Sequence, residues 1–375
     1  MTIAYNKISV RVRLGALRRN FDRLRRMAPA AMPVIKSDAY GHGLLPVARA
    51  LEAAGADAFA AGTVGECAQL RDAGIPGRIV ALLGATDAAD AECCVARSIV
   101  PAVYAADQLE MLAGRAAPGQ QVDIALKFDT GMARLGFTEA DLPALLDRLH
   151  ARPMLRPVLV MSHLAVSDDP ARADFTRQQG EAFARILAGV RADWPAVQGS
   201  LANSAALLAH PELHFDVQRP GIALYGSNPL RGTAMAGCGD GLEPAMDVAA
   251  PILQVHSLPA GRSISYGRTF TAQRDMTVAI VATGYADAYS RGLSGKGAMT
   301  VHGCRVPILG RVCMQMTAVD VTGVTDIPGV AAGDLAYLMG GPGEALTPDD
   351  LADLWGTISY EVLCLLGMNP RTHEE

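Results

Sequence analysis

The first 225 residues alternate short apolar runs with helical patterns, and this alternation restricts the fold more than any other feature of the chain. The apolar runs fall at 32–35, 58–61, 79–83, 101–104, 122–127, 157–162, 199–202 and 215–219. Helical patterns such as 44–54, 65–72, 141–150 and 172–191 lie between them. Eight β/α repeats spaced 20–40 residues apart predict a (β/α)8 barrel, whose parallel strands are buried on both faces. An open, doubly wound sheet is the alternative.

After residue 228 the pattern changes. Residues 228–243 are rich in Gly, Pro and small side chains, and strand-like runs follow at 249–256, 276–282, 306–309, 316–321 and 335–339. A length of 375 residues exceeds what one core usually serves. The expected organisation is therefore a barrel over 1–235 and a mostly β domain over 236–375. The Gly-x-Gly-x-Gly at 237–241 follows no strand and opens no helix, so it reads as a flexible connection and not as a dinucleotide fingerprint. Thr347-Pro348 with two aspartates signals a helix start, with the helix expected to reach about Leu366 and stop at Gly367.

Composition excludes several classes of function. The net charge of −5 with no basic stripe gives no electrostatic case for nucleic acid or an anionic membrane. No apolar run approaches the ~20 residues that span a bilayer, and Met1-Thr-Ile-Ala-Tyr-Asn6 lacks a signal-peptide pattern. Seven cysteines, an odd number with no Cys-x-x-Cys spacing, indicate neither a disulfide framework nor a zinc site. Free thiols in the cytoplasm are the plain expectation.

Polar residues cluster where barrel enzymes work, at the C-terminal ends of strands. Lys36 ends the first apolar run, and Tyr40 and two glycines follow it at once. A lysine there is costly without a job or a partner. It is either a Schiff-base lysine for pyridoxal phosphate (PLP) or the partner of Asp38 in an ion pair. Lys127 ends strand five, with Asp129, Met132 and Arg134 just beyond; His163 follows strand six; Asn203 and Ser204 follow strand seven; Arg219 ends strand eight. Taken singly, each has a structural reading. Lys127 could pair with Asp129, His163 could bond to backbone in the core, Ser204 could cap the helix after it, and Arg219 could sit in an interface ion pair. Together, five strand ends with polar or ionisable groups exceed chance, and Ser204 with the Gly221 and Ile222 amides reads as a phosphate cradle between strands seven and eight.

In order along the chain stand Val34-Ile-Lys-Ser-Asp-Ala-Tyr-Gly-His-Gly43, Lys127-Phe-Asp-Thr-Gly-Met-Ala-Arg-Leu-Gly136, Ser162-His-Leu-Ala165, Leu201-Ala-Asn-Ser-Ala205, Arg219-Pro-Gly-Ile-Ala-Leu-Tyr-Gly226, Ser265-Tyr-Gly267, Gly284-Tyr-Ala-Asp287, Gly310-Arg-Val-Cys-Met314 and Ser359-Tyr-Glu-Val362. In these nine segments, over nearly its whole length, the chain resembles the alanine racemases, which are PLP enzymes. The resemblance implies a PLP-binding barrel followed by a β domain, in a head-to-tail homodimer whose active sites draw on both chains. It implies alanine as substrate, with D-alanine supplied for peptidoglycan or alanine broken down. By the same resemblance Lys36 would carry the cofactor, and Tyr266 would reach the partner's barrel as the second acid/base. Arg219 would face the ring nitrogen, and His163 would link Tyr266 to Arg219. Tyr40, Ser204, Gly221, Ile222 and Tyr360 would bind the phosphate, with Asn203 in the same cofactor-binding set. Arg134, Met314 and Tyr285 would line the substrate pocket. Lys127 would be open to carbamylation, giving an anion that holds Arg134. Related possibilities are a serine or broader-specificity racemase and a non-catalytic PLP-handling barrel, although the latter lacks a β domain. A PLP decarboxylase would usually carry a glutamate where Arg219 stands.

The chain departs from the family pattern at Gln315, where an aspartate is common, at Ser200, where some members carry a histidine, at Ala288, where glycine is frequent, and in its ending Asn369-Pro-Arg-Thr-His. Racemisation needs a proton removed from one face of Cα and returned to the other. Lysine and tyrosine titrate near ~10.4 and ~10 in the free state, so both need activation by their surroundings. An arginine at the ring nitrogen cannot accept a proton and keeps that nitrogen unprotonated, which favours reprotonation at Cα over transamination.

Overall fold

The computed structural model describes residues 6–324 and 329–375. Residues 1–5, on which the signal-peptide reading falls, lie outside the described residues. Two compact units emerge, one of residues 17–39 and 44–243, the other of 1–16, 40–43 and 244–375. Among the described residues no helix is long and apolar enough to cross a membrane.

The first unit holds a six-stranded parallel sheet in sequence order: Ala58–Ala61, Arg78–Ala81, Val100–Val103, Val122–Lys127, Leu155–Met161 and Gln198–Ser200. Parallel neighbours require crossovers, and helices such as Val64–Asp72, Ala88–Arg97 and Ala173–Asp193 supply them. The runs expected as strands one and eight form no regular strand. They nonetheless close the ring through single bridges, Val34 to Ala60 and Ala31 to Gln218, both parallel. Met32 N–H donates to Gln218 at 2.8 Å, Ile35 N–H to Ala60 at 2.8 Å, and Arg219 N–H to Ala202 at 2.9 Å. Pro33 and Pro220 explain the broken ladder, because each removes a backbone donor. Eight segments thus make the (β/α)8 barrel, six of them as regular strands.

In the second unit, Met246–Leu258 is long enough to pair with Leu335–Met339 and Ser9–Arg13 along one part and Met276–Val281 along another. Pairing continues through Thr317–Asp320, Cys304–Leu309 and Ala298–Val301 back to Leu335–Met339, which closes a ring of six strands. Ser9–Arg13 and Arg371–Glu374 extend it as a parallel pair. Asp247, buried on the long strand, is bound by Arg11 at 2.8 Å and Arg13 at 3.3 Å. The single helix expected from Thr347 to about Leu366 is two, Pro348–Trp355 and Ser359–Leu366. Gly356 terminates the first in the left-handed region at φ +88°. The glycine run at 237–241 lies largely in the short 3-10 turn Ala236–Gly239.

Candidate active site

Lys36 opens a helical turn of the wrong hand. Ser37, Asp38, Ala39 and Tyr40 all have φ between 53° and 55°. Each left-handed non-glycine residue costs roughly 1–2 kcal/mol, so four in succession persist only where the surroundings over-determine them. Asp38 Oδ1 accepts the Leu44 amide at 2.7 Å, and the Asp38 amide donates to Glu66 Oε1 at 3.0 Å. Sequence reasoning missed Glu66. Thr63-x-x-Glu66 carries the capping-box signature of the helix Val64–Asp72, but its reach to Asp38 depends on two strand ends meeting in space.

Arg219 is 5% exposed and, among the described residues, has no carboxylate partner within 4 Å. Its Nη1 donates to the Ser200 carbonyl at 2.7 Å and to Ser200 Oγ at 2.5 Å, while Nη2 donates to the carbonyls of Ser162 and Leu201. Ser200 Oγ donates in turn to the Val217 carbonyl at 2.6 Å. Burial draws the guanidinium down to about 10, where it is still charged at neutral pH. The ion-pair reading of Arg219 gives way to a cage of carbonyls that leaves Nε–H without a partner among the described residues.

Lys127 is 8% exposed at the end of its strand. Burial lowers it to about 8, helped by the charges of Arg219 and Arg134. The structural alternative, pairing with Asp129, is not made within 4 Å. The Asp129 carboxylate instead accepts the amides of Gly131, Met132 and Arg134 at 2.8–2.9 Å. Burial opposes its ionisation, but these backbone donors outweigh that and hold it below the usual carboxylate range. The loop carrying Arg134 is fixed by them. His163 is held neutral by burial and then by Arg219, Lys127 and Arg134, and its ring has no hydrogen-bond partner among the described residues, contrary to a backbone-bonded core histidine. Lys127, Asp129, Met132, Arg134 and His163 line one small cavity.

The helix Ser204–Ala209 is capped by Asn203, whose Oδ1 accepts the Ala206 amide at 3.0 Å; Ser204 does not serve as the cap. Ser204 Oγ instead accepts the amides of Gly221 at 2.8 Å and Ala223 at 3.3 Å. A hydroxyl has two acceptor positions and one proton. With both acceptor positions filled, the proton of Ser204 is left to donate elsewhere, as an anion beside it would require.

In the second unit, Tyr40 is buried and its ring lies 6.0 Å from that of Tyr360. Burial, then the neighbouring Tyr360, raises the Tyr40 hydroxyl above its ordinary value. Tyr266, Met314 and Tyr285 are 72%, 57% and 43% exposed in the single chain. Tyr266 follows Ser265, which holds φ 68° while its Oγ donates to the Arg311 carbonyl at 2.6 Å.

The family models for the alanine racemase N-terminal and C-terminal domains match residues 12–229 and 245–373. The chain belongs to the alanine racemase family. It is 92% identical to an alanine racemase of Nitratidesulfovibrio vulgaris (strain DSM 19637 / Miyazaki F) over the full length of both. The crystal structure of the biosynthetic alanine racemase from Pseudomonas aeruginosa matches with a TM-score of 0.87 at 35% identity, covering 99% of this chain and 100% of that one. That of the alanine racemase from Bartonella henselae, solved with covalently bound pyridoxal phosphate, matches with a TM-score of 0.86 at 28% identity, covering 98% and 99%.

Two departures from the alanine racemase pattern have visible consequences. Ala288 sits at φ 62°, where a glycine would be unstrained. Ser200 places a short neutral hydroxyl against Arg219.

Proposed function

We propose that the chain interconverts L- and D-alanine by moving a proton at Cα, with pyridoxal phosphate held on Lys36. The observation that carries this reading is Arg219. A buried cation enclosed by carbonyls, with one N–H unspent, suits a neutral ring acceptor. The Ser204 hydroxyl, left with a proton to donate, and the adjoining Ile222 amide suit the phosphate, whereas the Gly221 amide expected beside them is spent on Ser204 Oγ. Pyridoxal phosphate, when bound, supplies the electron sink that acidifies the Cα–H bond.

On this reading Lys36 Nζ moves the proton on one face of the substrate. The Tyr266 hydroxyl of a second copy moves it on the other. Exposure of Tyr266, Tyr285 and Met314 supports that arrangement, because large apolar side chains in one region favour burial against a partner. The dimer is head to tail, with Tyr285 and Met314 beside the substrate. Arg219 cannot take up a proton, so beside the cofactor's ring nitrogen it would keep that nitrogen unprotonated and favour return of the proton to Cα. Arg134 holds the substrate carboxylate or the cofactor's phenolic oxygen. Lys127 is carbamylated: an amine lowered to about 8 is partly neutral and can add carbon dioxide, and the resulting anion meets Arg219 and Arg134. Residence in the cytoplasm fits seven free cysteines.

The test is Cα deuteration and inversion in heavy water with L-alanine, D-alanine and L-serine. Both alanine enantiomers should invert with deuterium at Cα and serine should turn over slowly. Serine turnover equal to that of alanine would replace the assignment with a broader racemase. Lys36→Ala should lose at least about a thousandfold in rate, together with the cofactor's visible absorbance. Native activity in that variant would end the Lys36 assignment.

A further inference from the structure

We propose that Glu66 is a positioning residue for Lys36, anchoring the left-handed turn on which the lysine stands. The inference rests on Lys36 being the amine that condenses with pyridoxal phosphate. A turn of four left-handed non-glycine residues does not hold itself, and its position is set by whatever grips its backbone. One grip is a carboxylate, beside the Ala39 amide on the Ile35 carbonyl at 3.0 Å and His42 Nδ1 on the Tyr40 carbonyl at 3.0 Å. Glu66 Oε1 accepts the Asp38 amide at 3.0 Å, while Oε2 accepts the amides of Gly62 at 2.9 Å and Thr63 at 3.1 Å. Three amides from two neighbouring strand ends thus converge on a single side chain.

Helix capping accounts for only part of this. In a capping box the glutamate returns to the N-cap amide, here Thr63, and the Thr63 hydroxyl accepts the Glu66 amide at 3.1 Å. The bond to Asp38 lies outside the box and ties the helix start to the lysine turn. Gly62 lets the two approach: a Cβ there would lie 2.9 Å from Glu66 Oε2 and 3.4 Å from Lys36 Cβ. The opposite end of the turn is held by Asp38 Oδ1 on the Leu44 amide at 2.7 Å. Slackening Glu66 therefore shifts the Cα from which Nζ is aimed.

Three variants separate anchoring from capping. Glu66→Gln has a single acceptor oxygen, so it presents an NH2 either to Asp38 or to Gly62 and Thr63. Glu66→Asp keeps a usable cap, as Asp350 does at the same position of the Thr347 box, but its carboxylate is one methylene short of Asp38. Thr63→Ala weakens the cap alone. The first readout is the rate at which the apoprotein condenses with pyridoxal phosphate. The neutral Nζ adds to the aldehyde carbon, C=N forms and one water leaves; borohydride then fixes the bond for peptide mapping. The second is hydrogen exchange at the Asp38 amide, and the third is kcat and KM of the holoenzyme.

Glu66→Gln and Glu66→Asp should slow condensation about tenfold, speed Asp38 exchange and lower kcat about ten- to a hundredfold, with KM changed less than about threefold. Thr63→Ala should match the unaltered protein in all three. Equal behaviour of the Glu66 variants and Thr63→Ala, with the label on Lys36, overturns the anchor and leaves the Lys36 assignment standing. A label on another lysine in the unaltered protein overturns that assignment and the inference with it.

Discussion

Arg219 and Lys127 in the barrel unit and Tyr266 and Met314 in the β unit differ sharply in burial, although Lys36 and Arg134 are exposed and Tyr40 is buried. In the barrel, Arg219 and Lys127 are 5% and 8% exposed and sit among carbonyls and other cations. In the β unit, Tyr266 and Met314 are 72% and 57% exposed on loops held in shape by backbone, such as the Ser265–Arg311 bond. Burial sets the chemistry of the first group, because desolvation and neighbouring charge move their proton affinities. On the proposed reading the second group is completed by a partner chain. One half of the site is thus finished by folding and the other, on the proposed reading, by assembly.

The largest expected effect breaks the exposed half. Tyr266→Phe should lower racemisation by about 10²–10⁴-fold while changing stability by less than about 0.5 kcal/mol, since Tyr266 is 72% exposed in the single chain. Cα exchange in heavy water should fall first for one enantiomer. Equal loss for both would count against two separate bases.

The next effect bears on the buried half. Arg219→Glu places a carboxylate among the carbonyls of Ser200, Ser162 and Leu201. It should destabilise by about 3 kcal/mol or more in chemical denaturation. It should also raise transamination relative to racemisation, because a carboxyl group can share a proton with the ring nitrogen where guanidinium cannot. An unchanged ratio would refute the ring-nitrogen role.

The same contrast separates what the sequence reveals from what it hides. Strand ends are legible because apolar runs stop where Lys36, Lys127, His163 and Arg219 begin. The exposed tyrosine was reachable only through Ser265-Tyr-Gly267 as a family segment, since no local pattern marks it. Contacts between distant segments stayed hidden. Pairing of Ser9–Arg13 with Met246–Leu258 joins residues about 240 positions apart, and neither segment announces the other. Ser204 and Asn203 are both good cap residues, and only the Gly221 and Ala223 amides decide which is free of that task. The left-handed hand of the Lys36 turn is invisible for a physical reason: Ser, Ala and Tyr do not favour it, a single Asp does not signal it, and tertiary anchors impose it.

The smallest effect sharpens the account of the buried half through pH. Lys127 falls from 10.5 to about 8 on folding. Below pH 8 the ammonium is present in both the folded and unfolded chain, and the full cost of burying it is felt. Between about 8 and 10.5 the folded chain binds fewer protons than the unfolded one, so stability rises with pH across that window, by up to about 3 kcal/mol. Lys127→Met keeps the length and removes the charge. In carbon dioxide-free buffer it should be more stable than the unaltered protein at pH 7 by about 1–3 kcal/mol and should lose the rise above pH 8. Urea melts at pH 7, 8.5 and 10 measure both. Bicarbonate at pH 8 should stabilise the unaltered protein and leave Lys127→Met unmoved, because only the lysine can form the anion that Arg134 and Arg219 attract. A bicarbonate effect of equal size in both would show that the cation cluster draws a free anion and that Lys127 is not its carrier.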